Sequence, residues 1–483
     1  MSKMVSNVLL NISYQILNMI IPLVTAPYIS RVMTPNEIGI YSYSNSLSGF
    51  VAVFMLMGIA NYGSRTIALN SDKEKTGLSK IFWELYAFQI CTSCIGVTFF
   101  LLLIPFSTAE YRSALLAQIF YLLSVALDVS WYFTGTGQFK ITVTRGCGIR
   151  ILQTVAIFSF VKNADDLLAY ILIMSIGTLL GNLLLWTIAL RQISFTAVSA
   201  RHVISHIKPN LVLFIPLLAS SVFVYMDKVM LGSIASSVDL GLYEYAEKIV
   251  RIPITVISAI GAVMMPTISG YIARNDILRS RKIMDTSMTY ISLLAAAMFF
   301  GILAIAPELA ATYLGPSFGD CGELMQIMSI IIVFSSFGNI LRTQYLIPHM
   351  QDKAYALSIV AGAMINLLLN GLLIPPLGCI GAAVGTVGAE LMVLVGHLLS
   401  TRTELNLKQF FEQWGRALLC GFFMFLVIEL AVSRISDDLL RLLLGIATGV
   451  VGFIIAALML LRFQNDDILP ILLRKKRTND EQT

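Results

Sequence analysis

Apolar runs of roughly 18 or more residues recur from one end of the chain to the other, separated by short polar stretches. Each run is long enough to cross about 30 Å of hydrocarbon as a helix. They begin near residues 8, 38, 81, 114, 144, 167, 209, 241, 287, 322, 354, 378, 413 and 438. The pattern predicts an all-α polytopic membrane protein with about fourteen transmembrane helices.

Composition agrees. Of 483 residues, 57% are hydrophobic and 13% charged, whereas a soluble domain is usually about 45–50% apolar and about 25% charged. Lysine and arginine placement sets the orientation. The N-terminus, the even-numbered turns and the tail hold Lys73, Lys140, Arg145, Arg150, Arg191, Arg201, Arg281 and the cluster Arg474-Lys475-Lys476-Arg477. The opposite side holds only Arg31, Arg112, Lys162, Arg434 and Arg441. Both termini are therefore expected in the cytoplasm. The net charge of +5 follows from this topology and calls for no nucleic-acid partner; the basic tail suits anionic membrane lipid. The first run is long and dotted with Asn11, Gln15 and Asn18, which does not read as a cleavable signal peptide. Cys91 and Cys94 form a C-x-x-C within an apolar helix without a partner pair, so no metal or redox site is expected. His202 and His206 are expected on a solvated cytoplasmic helix. No cofactor is implied.

The chain repeats itself. Ile21-Pro22-Leu23 recurs as Ile215-Pro216-Leu217, Arg31-Val32-Met33 as Lys228-Val229-Met230, and Gly39-Ile40-Tyr41-Ser42-Tyr43 as Gly241-Leu242-Tyr243-Glu244-Tyr245. Spans one and seven run in the same direction, so the copies are parallel. The pattern predicts two six-helix lobes around a central cleft, residues 1–196 and 197–404, then two further helices over 405–463 and a basic tail over 464–483.

Charge gathers in one place. The stretch YMDKVMLGSIASSVDLGLYEYAEKIVRIP, residues 225–253, holds Asp227, Lys228, Glu244, Glu247, Lys248 and Arg251. One mid-helix charge costs about 2.5–3.5 kcal/mol on insertion scales, so six facing lipid would cost on the order of 15–20 kcal/mol. They must pair or reach water. Glu244 with Lys248, and Glu247 with Arg251, are i,i+4 pairs in the favourable order. Asp227 and Lys228 adjoin, so they point apart and need separate partners. Two readings stand: a self-neutralised patch near the outer interface with snorkelling bases, or a hydrated wall that binds an anionic headgroup. Elsewhere, Asn11, Gln15 and Asn18 form a stripe on span one, with Glu84 on span three, Asp128 on span four, Asn366 and Asn370 on span eleven and Glu390 on span twelve. Each amide serves as interhelical glue or as substrate contact; the carboxylates could also take a coupling H⁺ or Na⁺. Enzyme signatures are nearly absent. Neither a P-loop nor an H-E-x-x-H occurs. The G-x-S-x-G at Gly315–Gly319 follows a span, with Pro316 in its first variable position, which does not suit a nucleophile elbow.

Several segments together resemble a known family: PYISRVMTPNEIGIYSYSNS, GIANYGSRTIA, DVSWYFTGTGQFK, DKVMLGSIASSVDLGLYEYAEKIV and NLLLNGLLIPPLGCIGAAVGTVGAE. They are similar to the O-antigen and capsule repeat-unit flippases of the multidrug/oligosaccharidyl-lipid/polysaccharide exporter superfamily. The resemblance implies a V-shaped bundle in the bacterial inner membrane. It would move an undecaprenyl-pyrophosphate-linked oligosaccharide to the outer leaflet, with a polysaccharide polymerase and chain-length proteins as partners. Carried onto matching positions, it makes Arg31, Lys228, Lys248 and Arg251 contacts for anionic groups, and matches Asp128 and Trp131 to the span-four motif. A drug or cation antiporter of the same superfamily and a membrane glycan polymerase or ligase stand as alternatives. The antiporter would want a carboxylate-dominated cleft; the polymerase or ligase, a large outer loop that this chain lacks.

Overall fold

A computed structural model describes residues 20–71 and 74–463. Asn11, Gln15, Asn18, Lys73 and the basic cluster at 474–477 lie outside the described residues. The helices that could span a membrane, in chain order, are α1 (Ile20–Val32), α2 (Pro35–Leu69), α3 (Lys75–Phe106), α4 (Ala109–Gly135), α5 (Phe139–Phe160), α6 (Ala164–Gln192) and α7 (Leu217–Ile234). They continue with α8 (Ser237–Ala273), α9 (Ile277–Leu314), α10 (Cys321–Leu346), α11 (Asp352–Leu377), α12 (Cys379–Thr401), α13 (Leu407–Val432) and α14 (Asp438–Leu458). Among the described residues thirteen helices, α2 to α14, are long and apolar enough to cross a bilayer, and α1 is shorter. No strand occurs among the described residues. Among α2 to α14 the widest disagreement with the expected starts is at α9, expected near residue 287 and found from Ile277. There Arg279, Arg281 and Lys282 belong to the helix rather than to the turn before it.

The chain forms two compact units. The first comprises the chain up to Ile252 with Ala310–Met328 and Ala356–Val393; the second comprises Pro253–Leu309, Ser329–Tyr355 and the chain from Leu394. One division falls inside α8, at Pro253, a residue with no N–H to give the helix. The basic, mostly polar segment of residues 191–208, at the boundary of the two expected lobes, lies within the first unit. In the second unit, Ala304 of α9 packs with Met424, Ile428 and Val432 of α13, and Arg441 of α14 pairs with the buried Glu308 of α9 at 3.1 Å.

Two irregularities of the first unit bear on the site. Helix α4 breaks at residues 127–129, between Ile119–Ala126 and Ser130–Gly135. A break at this depth frees carbonyls that no lipid can satisfy. Gln89 of α3 answers them: its amide nitrogen donates to the carbonyls of Val125 (3.1 Å) and Asp128 (2.9 Å), while its oxygen accepts from Trp131 Nε1 (2.9 Å). Trp186 Nε1 donates to the Leu127 carbonyl (2.9 Å). Trp131 is thus part of the core that supports the break, buried against Phe82. The second irregularity is a π-helical turn, Val222–Met226, in α7.

The repeat seen in the sequence is physical where α2 meets α8. Glu37 accepts the Thr34 N–H at 2.9 Å. At the matching place in the second copy, the Ser236 hydroxyl accepts the Asp239 N–H at 3.0 Å. A Cβ added at Gly39 would overlap the backbone of Ser237, and one added at Gly241 would overlap the backbone of Pro35. The contact is reciprocal: each glycine meets the residue four positions before the other. Only hydrogen at these positions lets the two backbones touch. Gly39→Ala and Gly241→Ala should each cost about 1–3 kcal/mol or more, read as a lower melting temperature of the detergent-solubilised protein. Gly270→Ala, with open space around it, is the control.

Candidate functional site

The charged stretch closes on itself within the first unit. Lys228, just after the π turn, places Nζ 2.6 Å from Glu244 Oε2 and 3.1 Å from Glu247 Oε2. Arg251 Nε lies 2.6 Å from Glu247 Oε1. Ser42, from the first copy of the repeat, donates its hydroxyl to Glu244 Oε2 at 2.8 Å. Side-chain exposure falls from 36% at Arg251 to 17% at Lys228 and Glu244 and 6% at Glu247. The expected pair of Glu247 with Arg251 forms. That of Glu244 with Lys248 does not, because Lys228 and Ser42 already occupy the Glu244 carboxylate. Lys248 instead sets its ammonium 5.4 Å from the centroid of the Tyr245 ring.

Asp227 points the other way, as adjacency on a helix requires. It is almost fully buried and sits among neutral groups. Asn370 Nδ2 donates to one oxygen at 2.6 Å; the hydroxyls of Thr386 and Tyr243 donate to the other at 2.9 and 3.0 Å. Asn366 accepts from Asn370 at 3.3 Å, and Asn370 Oδ1 is buried with no donor. Both oxygens of this buried carboxylate are thus met by neutral hydrogen-bond donors. Among the described residues no group of three or more histidine, cysteine and carboxylate side chains is placed to hold a metal ion.

A second feature was missed by sequence reasoning. A cavity of about 490 Å³ lies among α2, α4, α5 and α6, and Arg145, Arg150, Asp128, Gln153 and Tyr41 are among its lining. Arg145 and Arg150, expected on a cytoplasmic turn, are instead inside helix α5 (Phe139–Phe160). The Arg145 guanidinium donates to Asn182 Oδ1, and its Nε is buried without a partner. Among the described residues no carboxylate comes within 4.0 Å of Arg145, Arg150 or Lys248. Tyr41 lines the cavity, and the next residue, Ser42, donates to Glu244 of the ion-paired cluster. The cavity and the ion pairs are therefore neighbours. The signal available in the sequence was two arginines five apart in an otherwise apolar run, TRGCGIRILQ.

Other expected residues lie elsewhere. Arg31 donates to the carbonyls of Pro27 (2.7 Å), Thr312 (2.8 Å) and Tyr313 (3.1 Å). It caps a π-helical turn, Ala310–Leu314, and makes no pair in the cluster. Asp128 lines the cavity and accepts the Ser130 N–H at 2.8 Å. Glu390 of α12 acts electrostatically on Arg251. The histidine pair is not simply solvated: His206 is largely buried between Tyr62 (2.8 Å) and Glu84 (3.5 Å), and His202 meets the other Glu84 oxygen at 3.5 Å. Gly315–Gly319 is a 3₁₀ turn after a π-helical turn, without the strand a nucleophile elbow needs.

Removing one partner of a buried pair leaves the other charge uncompensated, at a cost of about 3–5 kcal/mol. Lys228→Ala should show this as a large fall in melting temperature, partly restored by adding Glu244→Gln and Glu247→Gln. Lys248→Ala forfeits only its ring contact, about 0.5–1 kcal/mol, and should melt near the parent.

A Shigella dysenteriae protein provisionally named an O-antigen transporter is 23% identical over 409 residues, covering 83% of this chain and all of that protein. Among solved structures, the lipid II flippase MurJ in an inward closed conformation superposes with a TM-score of 0.77 at 15% identity, over 95% of this chain and 99% of that one. An inward-facing multidrug resistance MATE transporter of the MOP superfamily superposes with a TM-score of 0.58 at 14% identity, over 81% and 94%. At such identities these two show a shared fold. The profile of one family, described as polysaccharide biosynthesis protein, matches residues 4–272. This multi-pass membrane protein, with its MurJ-like fold, belongs to the polysaccharide biosynthesis protein family.

Proposed function

We propose that the chain is a flippase that carries a polyprenyl-pyrophosphate-linked oligosaccharide from the cytoplasmic to the outer leaflet of a bacterial inner membrane. One observation carries the reading. The carboxylates Glu244 and Glu247 are held by Lys228 and Arg251, while Lys248 and Arg150 make no ion pair within 4.0 Å among the described residues. A diphosphate crossing bare hydrocarbon meets a desolvation cost of tens of kcal/mol in the idealised low-dielectric limit. Unmatched bases in a polar passage lower that cost without covalent chemistry. The names of the relatives, an O-antigen transporter and a lipid II flippase, support the same substrate class. The antiporter alternative wants a carboxylate-dominated cleft, and here Glu244 and Glu247 are held by Lys228 and Arg251. The polymerase alternative wants a large outer loop with catalytic groups, which the short connections between helices do not supply.

In this reading the two halves of the repeat alternate access, and both termini lie in the cytoplasm. The cage around Asp227 takes the coupling H⁺ or Na⁺, since it is the one buried carboxylate of the stretch held by neutral groups alone.

Deletion of the gene should make lipid-linked repeat units accumulate on the cytoplasmic leaflet. Undiminished surface glycan, in a strain with no second exporter, would rule the function out. Lys248→Ala should abolish export while inserting and melting like the parent; full export would return Lys248 to a surface role. Asp227→Asn, which keeps the shape and removes the charge, should make transport into everted vesicles insensitive to an imposed proton or sodium gradient. An unaltered gradient response would remove Asp227 from coupling.

A further inference from the structure

The cavity among α2, α4, α5 and α6 is a binding site in its own right. Pockets of about 300–1,000 Å³ enclose a drug-sized ligand. At about 490 Å³ this one has room for a diphosphate and its first sugar, but not for a repeat unit of several sugars. Its two cations face it from one helix, α5, and neither has a carboxylate within 4.0 Å among the described residues. The Arg145 Nε, buried and unpartnered, is a donor with nothing to bind. Guanidinium groups match phosphate oxygens in pairs, and each charge-assisted bond is roughly twice as strong as a neutral one. The rest of the wall is of a different kind. Gln153 is fixed by its bond to the Met174 carbonyl (2.8 Å). Asp128 has accepted only the Ser130 N–H, and Tyr41 and Tyr121 bring aromatic surface. Amides, a carboxylate and aromatic surface are suited to hydroxyls and to the apolar side of a sugar ring.

Resting on the flippase reading, we infer that this cavity seats the diphosphate and the first sugar of the lipid-linked substrate. Arg145 and Arg150 hold the diphosphate; Gln153 and Asp128 select the sugar. Recognition of the head then takes place within the first unit alone, while the remaining sugars lie outside the cavity.

Binding to the purified full-length protein in nanodiscs tests this with three probes: inorganic pyrophosphate, a farnesyl-diphosphate-linked N-acetylglucosamine and soluble UDP-N-acetylglucosamine. The lipid-linked probe should bind, and Arg150→Gln and Arg145→Gln should each weaken it about tenfold or more, with Arg150→Lys recovering part of the loss. Met174→Trp, which fills the cavity, should weaken the sugar-bearing probe and spare pyrophosphate. Arg150, which is exposed to the cavity and free of core packing, carries the test if Arg145→Gln fails to fold. Binding within about twofold of the parent in a folded Arg150→Gln variant overturns the assignment, as does failure of all three probes to bind the parent. A nucleotide sugar that binds as tightly as the lipid-linked probe overturns the lipid source. The two proposals fail separately. Loss of binding in Lys248→Ala but not in Arg150→Gln would move the seat and leave the flippase standing; normal export after deletion would remove the flippase and leave the binding data intact.

Discussion

The ammonium of Lys228 is held between two carboxylates inside the transmembrane region, and the rest of the charged centre is arranged around that bond. Glu244 approaches to 2.6 Å and Glu247 to 3.1 Å, and both come from α8, while the lysine comes from α7. Two acids against one base would leave a negative excess, which Arg251 removes from below by its own bond to Glu247. Taking any of these charges from water costs several kcal/mol per ion, and attraction repays it only when every partner is in place. The network is thus conditional on the close approach of α7, α8 and the first copy of the repeat, from which Ser42 adds its hydroxyl. That approach is what Gly39 and Gly241 permit. The charged network rests in this way on the absence of two side chains, at Gly39 and Gly241.

The backbone irregularities serve the same end. The π turn Val222–Met226 places an extra residue before Asp227. Such turns often mark functional sites. After it, Asp227 and Lys228 diverge: one enters the neutral cage of Asn370, Thr386 and Tyr243, and the other the ionic one. In α4 the break at residues 127–129 brings Asp128 to the cavity wall, and Gln89 keeps the break from exposing carbonyls to the interior. Irregular backbone at membrane depth is stable only where protein or a polar cavity satisfies it. Both irregularities meet that condition.

Much of this was legible in the sequence, and the part that was not has a common cause. Apolar run length gives the spans, because bilayer thickness is an external ruler. The divergence of Asp227 and Lys228 follows from helix geometry, and the bond of Glu247 to Arg251 from i,i+4 spacing. Contacts within one helix are readable for that reason. The partner of Glu244 was misassigned because a competitor, Lys228, arrives from another helix. Gln89 carries no mark of its role, since a buried glutamine that repairs a break is recognisable only once the break is seen. Arg145 and Arg150 were credited to the cytoplasmic face by the bias of Lys and Arg toward that side, a rule about loops that says nothing of a base within a span. Arg31 was carried over from a family motif, and its guanidinium instead completes the backbone of a π turn.

Charge balance also constrains how tightly such a site can hold its cargo. A transporter must release what it binds, so a diphosphate met by a fully ionic cage would be trapped. Here Lys228 and Arg251 are already engaged by carboxylates, and under the proposed function a diphosphate would compete with Glu244 and Glu247 for them. Arg145, Arg150 and Lys248 offer attraction without that competition, but they are few, and Asp128 stands among them. Under the proposed function, such an arrangement would bind a dinegative head reversibly, with the internal carboxylates limiting its affinity.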